Sequence, residues 1–211
     1  MGLRERKKER TRLALIDAAL ALFLDKGYEA TTIDQIAGAV EVSPRTFFRY
    51  FASKEEVALA PPADGLEHFL AELSERPDDE PPFAAMANAM RSVIQVLREG
   101  DAEEARRFVQ SRAVIDAEPA LFAASHSLLV EQEQRLVAEV ARRQGADPER
   151  DLLPLFVTGV FGLLTRMGFE HCFPAGVEDL TRMAVRLEEA IALAERSLCP
   201  GWDLGRVPQV S

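Results

Sequence analysis

Apolar positions recur at helical spacing through most of this chain, and near the N-terminus two short stripes lie unusually close together. Leu13, Ile16, Leu20 and Phe23 mark the buried side of a first helix that runs to about Lys26, where Gly27 stands in the position that ends helices. Thr32 is a good N-cap for a second, short helix with Ile33, Ile36, Ala37 and Val40 at i, i+3, i+4 and i+7. Ser43 caps a third, and Pro44 at its first position sacrifices no hydrogen bond. Ser53 and Glu56 form a capping-box pattern for a fourth helix. Pro61-Pro62 is expected to interrupt that helix after two turns, with helix resuming from Ala63 to about Arg76. An acidic loop, 76–82, follows. Helices are then expected at about 83–98, 101–115, 118–144, 151–172 and 176–198, and an irregular tail, 199–211, in which Trp202 docks on the body. No stretch reads as a strand, so the fold class is all-α.

The helices beginning at Thr32 and Ser43 are too short and too tightly joined to be an ordinary helical pair. They read as a helix-turn-helix, whose second helix enters the major groove of DNA. That second helix, read as Pro44 to Phe51, has two faces. Phe47 and Phe51, four apart, pack inward, while Pro44, Arg45, Phe48 and Arg49 lie outward with Thr46 and Tyr50 at the flanks. Arg binds guanine O6 and N7 with two hydrogen bonds, an aromatic or apolar group rests on a thymine methyl, and hydroxyls bind phosphates. The bland alternative is a solvated face carrying one exposed Phe.

Residues from about Arg10 to Val57 resemble the N-terminal domain of TetR-type transcriptional regulators. The resemblance rests on ALFLDKGYEATT, then IDQIAGAVEVS, then PRTFFRYFASKEE. It implies an N-terminal three-helix DNA-binding domain, residues 1–54, and a larger helical effector-binding and dimerisation domain, residues 55–211. It also implies that Arg45, Phe48 and Arg49 face bases, and that Thr32, Thr46, Tyr50 and Lys54 reach the DNA backbone. With the capping pair Ser43-Pro44, these are the candidate DNA-binding residues. One position departs from the pattern: Glu41 stands in the turn, where the family has Gly and where a positive φ is easier for Gly than for other residues.

The net charge of −10 argues against nucleic acid until its distribution is considered. Residues 1–54 hold 10 Lys and Arg against 7 Asp and Glu, whereas residues 55–211 hold 15 against 28. All four lysines fall in the first part. Phosphate attraction is local and screened within about 10 Å, so a basic head works on an acidic body. The run 2–12, GLRERKKERTR, is either a frayed helix start or a mobile basic arm that adds phosphate contacts or enters a minor groove. Two cysteines without metal-type spacing, and no signal-peptide core, suggest a cytoplasmic protein. The longest uncharged apolar run, Leu152 to Thr165, has 14 residues, short of the roughly 20 that a span requires.

In the body, Met86, Met90, Phe108, Leu121, Phe122 and Phe156, with Arg112, His126 and Arg166 as polar groups, are candidates for binding a small, largely hydrophobic effector. For each Met, Leu or Phe the ordinary reading is core packing, for His126 a surface or core position, and an internal carboxylate would serve Arg112 or Arg166 as well as a ligand acid would. The 151–172 helix is apolar nearly all round, so burial on every side is expected, in the core or between subunits, with Gly159 and Gly162 allowing close approach. In the resembling family the last two long helices form a four-helix dimer interface, and 151–172 with 176–198 suit that role. No nucleophile elbow, P-loop, zinc-protease or dinucleotide fingerprint occurs, and the three histidines are isolated. The reading is therefore a homodimeric regulator that binds operator DNA and a small-molecule effector, most simply a repressor. No enzyme activity, metal, cofactor or membrane is expected. The alternatives are an effector-independent activator or architectural protein, and a helical binding protein or enzyme that retained the head.

Overall fold

The computed structural model describes residues 2–99, 102–170 and 180–204. These fold into α1 (Leu3–Lys26), α2 (Ile33–Ala39), α3 (Pro44–Phe47), α4 (Lys54–Glu75), α5 (Pro82–Glu99), α6 (Ala102–Ala117), α7 (Pro119–Gln144), α8 (Leu152–Glu170) and α9 (Leu180–Ser197), with no strand among them. The expected Pro174-Gly176 break lies outside the described residues. Two compact units form, Met1–Asp64 with Glu103–Leu128, and Gly65–Ala102 with Leu129–Ser211. No single helix among the described residues is long and apolar enough to cross a membrane.

The first unit has one core. Leu15, Ile16, Ala19, Leu20 and Phe23 of α1 meet Ile36 and Ala37 of α2, and Phe47 and Phe51 at α3. Val57 to Ala60 of α4, Val114 and Ile115 of α6, and Leu121 of α7 complete it. Gly27 takes φ +86 and its N–H donates to the Phe23 carbonyl, ending α1 as expected. Tyr28 then packs its ring 5.2 Å from that of Phe23.

Pro61-Pro62 does not interrupt α4, contrary to expectation: both prolines sit inside one continuous helix. The reason is tertiary. Pro62 has no N–H to donate to the carbonyl four residues back, that of Ala58. The buried Ser111 hydroxyl of α6 donates to that carbonyl at 2.6 Å. The two prolines cost the helix two rungs, at the carbonyls of Val57 and Ala58, and the Ser111 hydroxyl satisfies the second. Ser111→Ala is expected to destabilise the fold by about 1–3 kcal/mol, the cost of an unpaired buried carbonyl. A urea midpoint equal to that of the parent would show that the carbonyl finds another partner.

In the second unit the Phe69 and Phe161 rings stack at 5.5 Å, and Phe83 meets Phe161 edge-on at 6.4 Å. Trp202 docks as expected, 5.4 Å from Phe83 and 5.8 Å from Phe156. Its neighbour Asp203, buried, accepts the Phe83 N–H at 2.9 Å and so caps the start of α5 from 120 residues away. Arg143 of α7, also buried, donates to the carbonyls of Leu73, Arg76 and Pro77, closing the end of α4.

Within one chain helix α8 is not buried on every side. Pro154, Val157, Thr158, Phe161, Leu164 and Gly168 face inward, but Leu152, Leu155, Phe156, Gly159, Gly162, Leu163, Arg166 and Met167 form an exposed stripe at helical spacing. The glycine that lets α9 approach is Gly168, where a Cβ would stand 3.2 Å from that of Leu187. Gly159 and Gly162 meet no side chain within the described chain.

Candidate nucleic-acid interface

Local hydrogen bonds shape the reading head. At α2, Thr32 Oγ1 accepts the Gln35 N–H while Gln35 Oε1 accepts the Thr32 N–H, a full capping box. The Gln35 half is readable as T-x-x-Q but was not part of the expectation. Helix α2 ends in a Schellman turn: Val42 N–H donates to Ala37 O at 3.0 Å and Glu41 N–H to Gly38 O at 3.1 Å. Glu41 adopts φ +56 and is the non-glycine with positive φ among the described residues. The turn therefore keeps the geometry a glycine would give it, at a cost in backbone strain. Glu41→Gly is expected to raise stability by about 1 kcal/mol. An unchanged or lower denaturation midpoint would mean that the Glu41 side chain compensates for its backbone.

Ser43 caps α3 as expected. Its Oγ accepts the Thr46 N–H at 3.2 Å and lies 3.0 Å from Thr46 Oγ1. The α-helix proper ends at Phe47, shorter than the expected reach to Phe51. The chain continues as a tight turn, with Arg49 N–H donating to Thr46 O and Tyr50 N–H to Phe47 O. The faces nevertheless fall as the spacing predicts. Phe47 and Phe51 are buried; Pro44, Arg45, Phe48 and Arg49 are exposed; Thr46 and Tyr50 are half-buried. Phe48 leaves 54 % of its surface in solvent. The Arg49 guanidinium lies 5.1 Å from the Tyr50 ring centre and donates to its hydroxyl at 3.3 Å. Arg45 has no ion-pair partner among the described residues.

Lys54 turns back into the head. Its ammonium donates to the carbonyl of Tyr28 at 2.8 Å and to those of Glu29 and Thr31 at 3.4 Å, and stands 4.2 Å from the Tyr28 ring centre. Burial, then the carboxylates of Glu55, Glu29 and Glu118, push the Tyr28 phenol up to about 12, so it stays neutral beside Lys54. Lys54 thus ties the start of α4 to the α1–α2 connection, and a phosphate would compete with those carbonyls. At the same end Ser53 Oγ accepts the Glu56 N–H, and the Glu56 carboxylate accepts the Ala52 N–H.

The basic run 2–12 is helical from Leu3. Arg12, its last cation, forms a two-point pair with Asp64 at 2.8 and 2.9 Å and covers the Phe51 ring at 5.6 Å.

The effector candidates are divided between the units. Phe108, Arg112, Leu121, Phe122 and His126 belong to the first, Met86, Met90, Phe156 and Arg166 to the second. Phe108, Leu121 and Met86 are buried, Met90 and Arg112 half-buried, and Phe122, His126, Phe156 and Arg166 exposed. Arg112 pairs with Asp116 at 3.0 Å, the internal carboxylate that was one of the two partners open to it. Two buried polar atoms that the spacing did not flag are Thr158 Oγ1 and Gln144 Oε1, neither with a hydrogen-bond partner among the described residues. Among those residues no group of acidic, His or Cys side chains is arranged to hold a metal ion.

The family model of bacterial regulatory proteins of the tetR family matches residues 15–60, and that of the MftR C-terminal domain matches residues 80–198. The HTH-type transcriptional regulator TcmR of Streptomyces glaucescens is 41% identical over 203 residues, covering 95% of this chain and 90% of that protein. A Mycobacterium tuberculosis protein named for transcriptional regulation of mycofactocin biosynthesis, MftR, is 28% identical over 94% of both chains. A crystal structure of a transcriptional regulator from Aquifex aeolicus VF5 superposes with a TM-score of 0.55 over 87% of this chain and 98% of that one. At 16% identity the last likeness is one of fold.

Proposed function

Since this chain belongs to the TetR family of bacterial transcriptional regulators, we propose that it is a homodimeric repressor whose operator binding is relieved by a small, largely hydrophobic effector. The reading is carried by the outward face of α3. Arg45 stands on a short capped helix, and Phe48 and Arg49 on the tight turn that continues it, while Phe47 and Phe51 are locked in the core. That is the chemistry of major-groove reading. Arg45, Phe48 and Arg49 read base edges; Thr32, Ser43, Thr46 and Tyr50 bind phosphates; Pro44 sets the entry of the helix. Lys54 acts on DNA chiefly by holding the start of α4 in place. Residues 1–54 are the reading domain, and residues 55–211 bind effector and partner subunit.

One recognition helix spans few base pairs, so a two-fold pair reading half-sites about one helical turn apart supplies the missing specificity. The exposed apolar stripe of α8, with Val185 and Leu193 of α9, is the surface for that pairing. The effector binds in the body, where the apolar side chains of Met86 and Met90, and the Thr158 hydroxyl, which has no partner among the described residues, are candidates to meet it. It releases DNA by binding more tightly to the conformation in which the two heads do not match the operator. A regulator of bacterial operators works in the cytoplasm.

The test begins with selection of duplexes by the full-length protein from a random-sequence library. Enrichment of a two-fold symmetric site, bound discretely in a gel shift against competitor DNA and weakened by salt, is the expected result. Recovery of no consensus, or of an asymmetric one, would overturn the reading of a dimeric repressor.

A further inference from the structure

Beyond the reading helix, the structure carries a second charged surface, on the first turns of α1. Residues 2–12 hold six basic side chains against two acidic ones, in a chain whose net charge is −10. Arg4, Arg6, Lys7, Lys8 and Arg10 are all exposed, and none has an ion-pair partner among the described residues. Their placement opposes helix stability. Cations crowd the positive end of the helix dipole, Gly2 provides no side-chain cap, and Glu5 is the acidic residue of the first turn. A local rule broken this way points to a partner that supplies the missing negative charge.

Arg12 fixes the direction of the surface. It rests over the Phe51 ring and is held by Asp64, so its side of α1 faces the end of α3 and the first turns of α4. Lys8 and Arg4 lie four and eight residues before it, on the same stripe, with Lys7 beside them. At 1.5 Å per residue, Arg4 stands about 12 Å further along the helix axis. Leu3 alone is large and apolar in the run, so it lacks the apolar face with which a helix lies on a membrane.

We infer that Arg4, Lys7 and Lys8 form a phosphate-binding ridge that grips the DNA backbone flanking the bases read by α3. This rests on the proposed DNA-binding function and adds to it a part of the protein that contributes affinity without specificity. Each cation that neutralises a phosphate adds about 0.9 to the slope of log K against log salt.

The experiment compares the full-length protein with an Arg4→Gln, Lys7→Gln, Lys8→Gln triple variant by fluorescence anisotropy. The probes are the duplex selected from the random library and a scrambled duplex of equal length, each titrated at several salt concentrations. The expected result is a slope smaller by about two to three, with affinity for both duplexes falling by the same factor. An Arg4→Lys, Lys7→Arg, Lys8→Arg variant should keep the parent slope. An unchanged slope in the Gln variant would overturn the ridge while leaving the proposed function intact. So would a fall confined to the selected duplex, which would mean base contact. Failure of the parent protein to bind either duplex in a salt-dependent way would remove the proposed function itself. Helical content from circular dichroism separates lost contacts from a lost fold.

Discussion

Leu163→Glu is expected to turn the protein into a monomer and to weaken operator binding by about two to four orders of magnitude. Leu163 is half-way along the exposed stripe of α8, between Phe156 and Met167 and beside Gly162. In one chain this stripe presents Leu152, Leu155, Phe156, Leu163 and Met167 to water, a row of apolar side chains that a monomer gains nothing by exposing. Gly159 and Gly162 lie on the same stripe with open space above them, which favours close approach of a second helix. A carboxylate placed there would be buried without a partner in a dimer, at a cost far above that of an apolar contact. In the monomer it would simply be solvated, so the subunit fold should survive. Sedimentation velocity reads the mass, circular dichroism the fold, and anisotropy the affinity for the selected duplex. The loss in affinity follows from the geometry of paired heads, because a single head has lost the effective concentration that the second subunit provided. A variant that stays dimeric and binds as before would place the dimer interface elsewhere.

Arg49→Ala is expected to reduce affinity for the selected duplex by about 10- to 100-fold, the worth of about 1–3 kcal/mol for one two-point contact to a base. Affinity for scrambled DNA should fall much less, since there only one positive charge is lost. The structure prepares Arg49 for this task. Its guanidinium lies against Tyr50 and donates to the Tyr50 hydroxyl, so part of its rotamer entropy is spent before DNA arrives. Its backbone N–H is tied to Thr46 O at 3.2 Å in the tight turn that ends α3. If the ratio of selected to scrambled affinity equals that of the parent, Arg49 binds phosphate and base reading falls to Arg45 and Phe48. Lys conserves the charge but not the fork, so Arg49→Lys should restore affinity for scrambled DNA more than for the selected duplex.

Much of the reading head was legible because its information is local. Thr32 and Ser43 cap the helices they precede, Pro44 stands where its missing N–H is harmless, and Phe47 and Phe51 share a face by their spacing alone. Even Glu41 could be flagged, since the positive φ it takes is a property of the turn and not of distant residues. Arg112, placed where a charge needs a partner, found one four residues on, in Asp116. The division of the two faces of α3 follows from the same periodicity, although the α-helix stops at Phe47 and a tighter turn carries Arg49 and Tyr50.

What escaped the linear reading depends on contacts between residues far apart in the chain. Pro61-Pro62 signals a break by every local rule, yet Ser111, about fifty residues later, takes the hydrogen bond that Pro62 cannot make, and α4 runs through. That Arg12 is clasped by Asp64 and lies over Phe51 cannot be read from the basic run itself. Lys54 looks free for phosphate until three carbonyls of the α1–α2 connection are found around its ammonium. Helix α8 reads as buried all round, in the core or between subunits, but hydropathy does not say which, and within one chain its packing leaves one stripe bare. Periodicity and capping specify each helix through interactions within about four residues, and these are written in the sequence. Which carbonyl meets which hydroxyl, where an ammonium points and which apolar face goes uncovered are set by packing between segments, and only the folded chain brings those segments together.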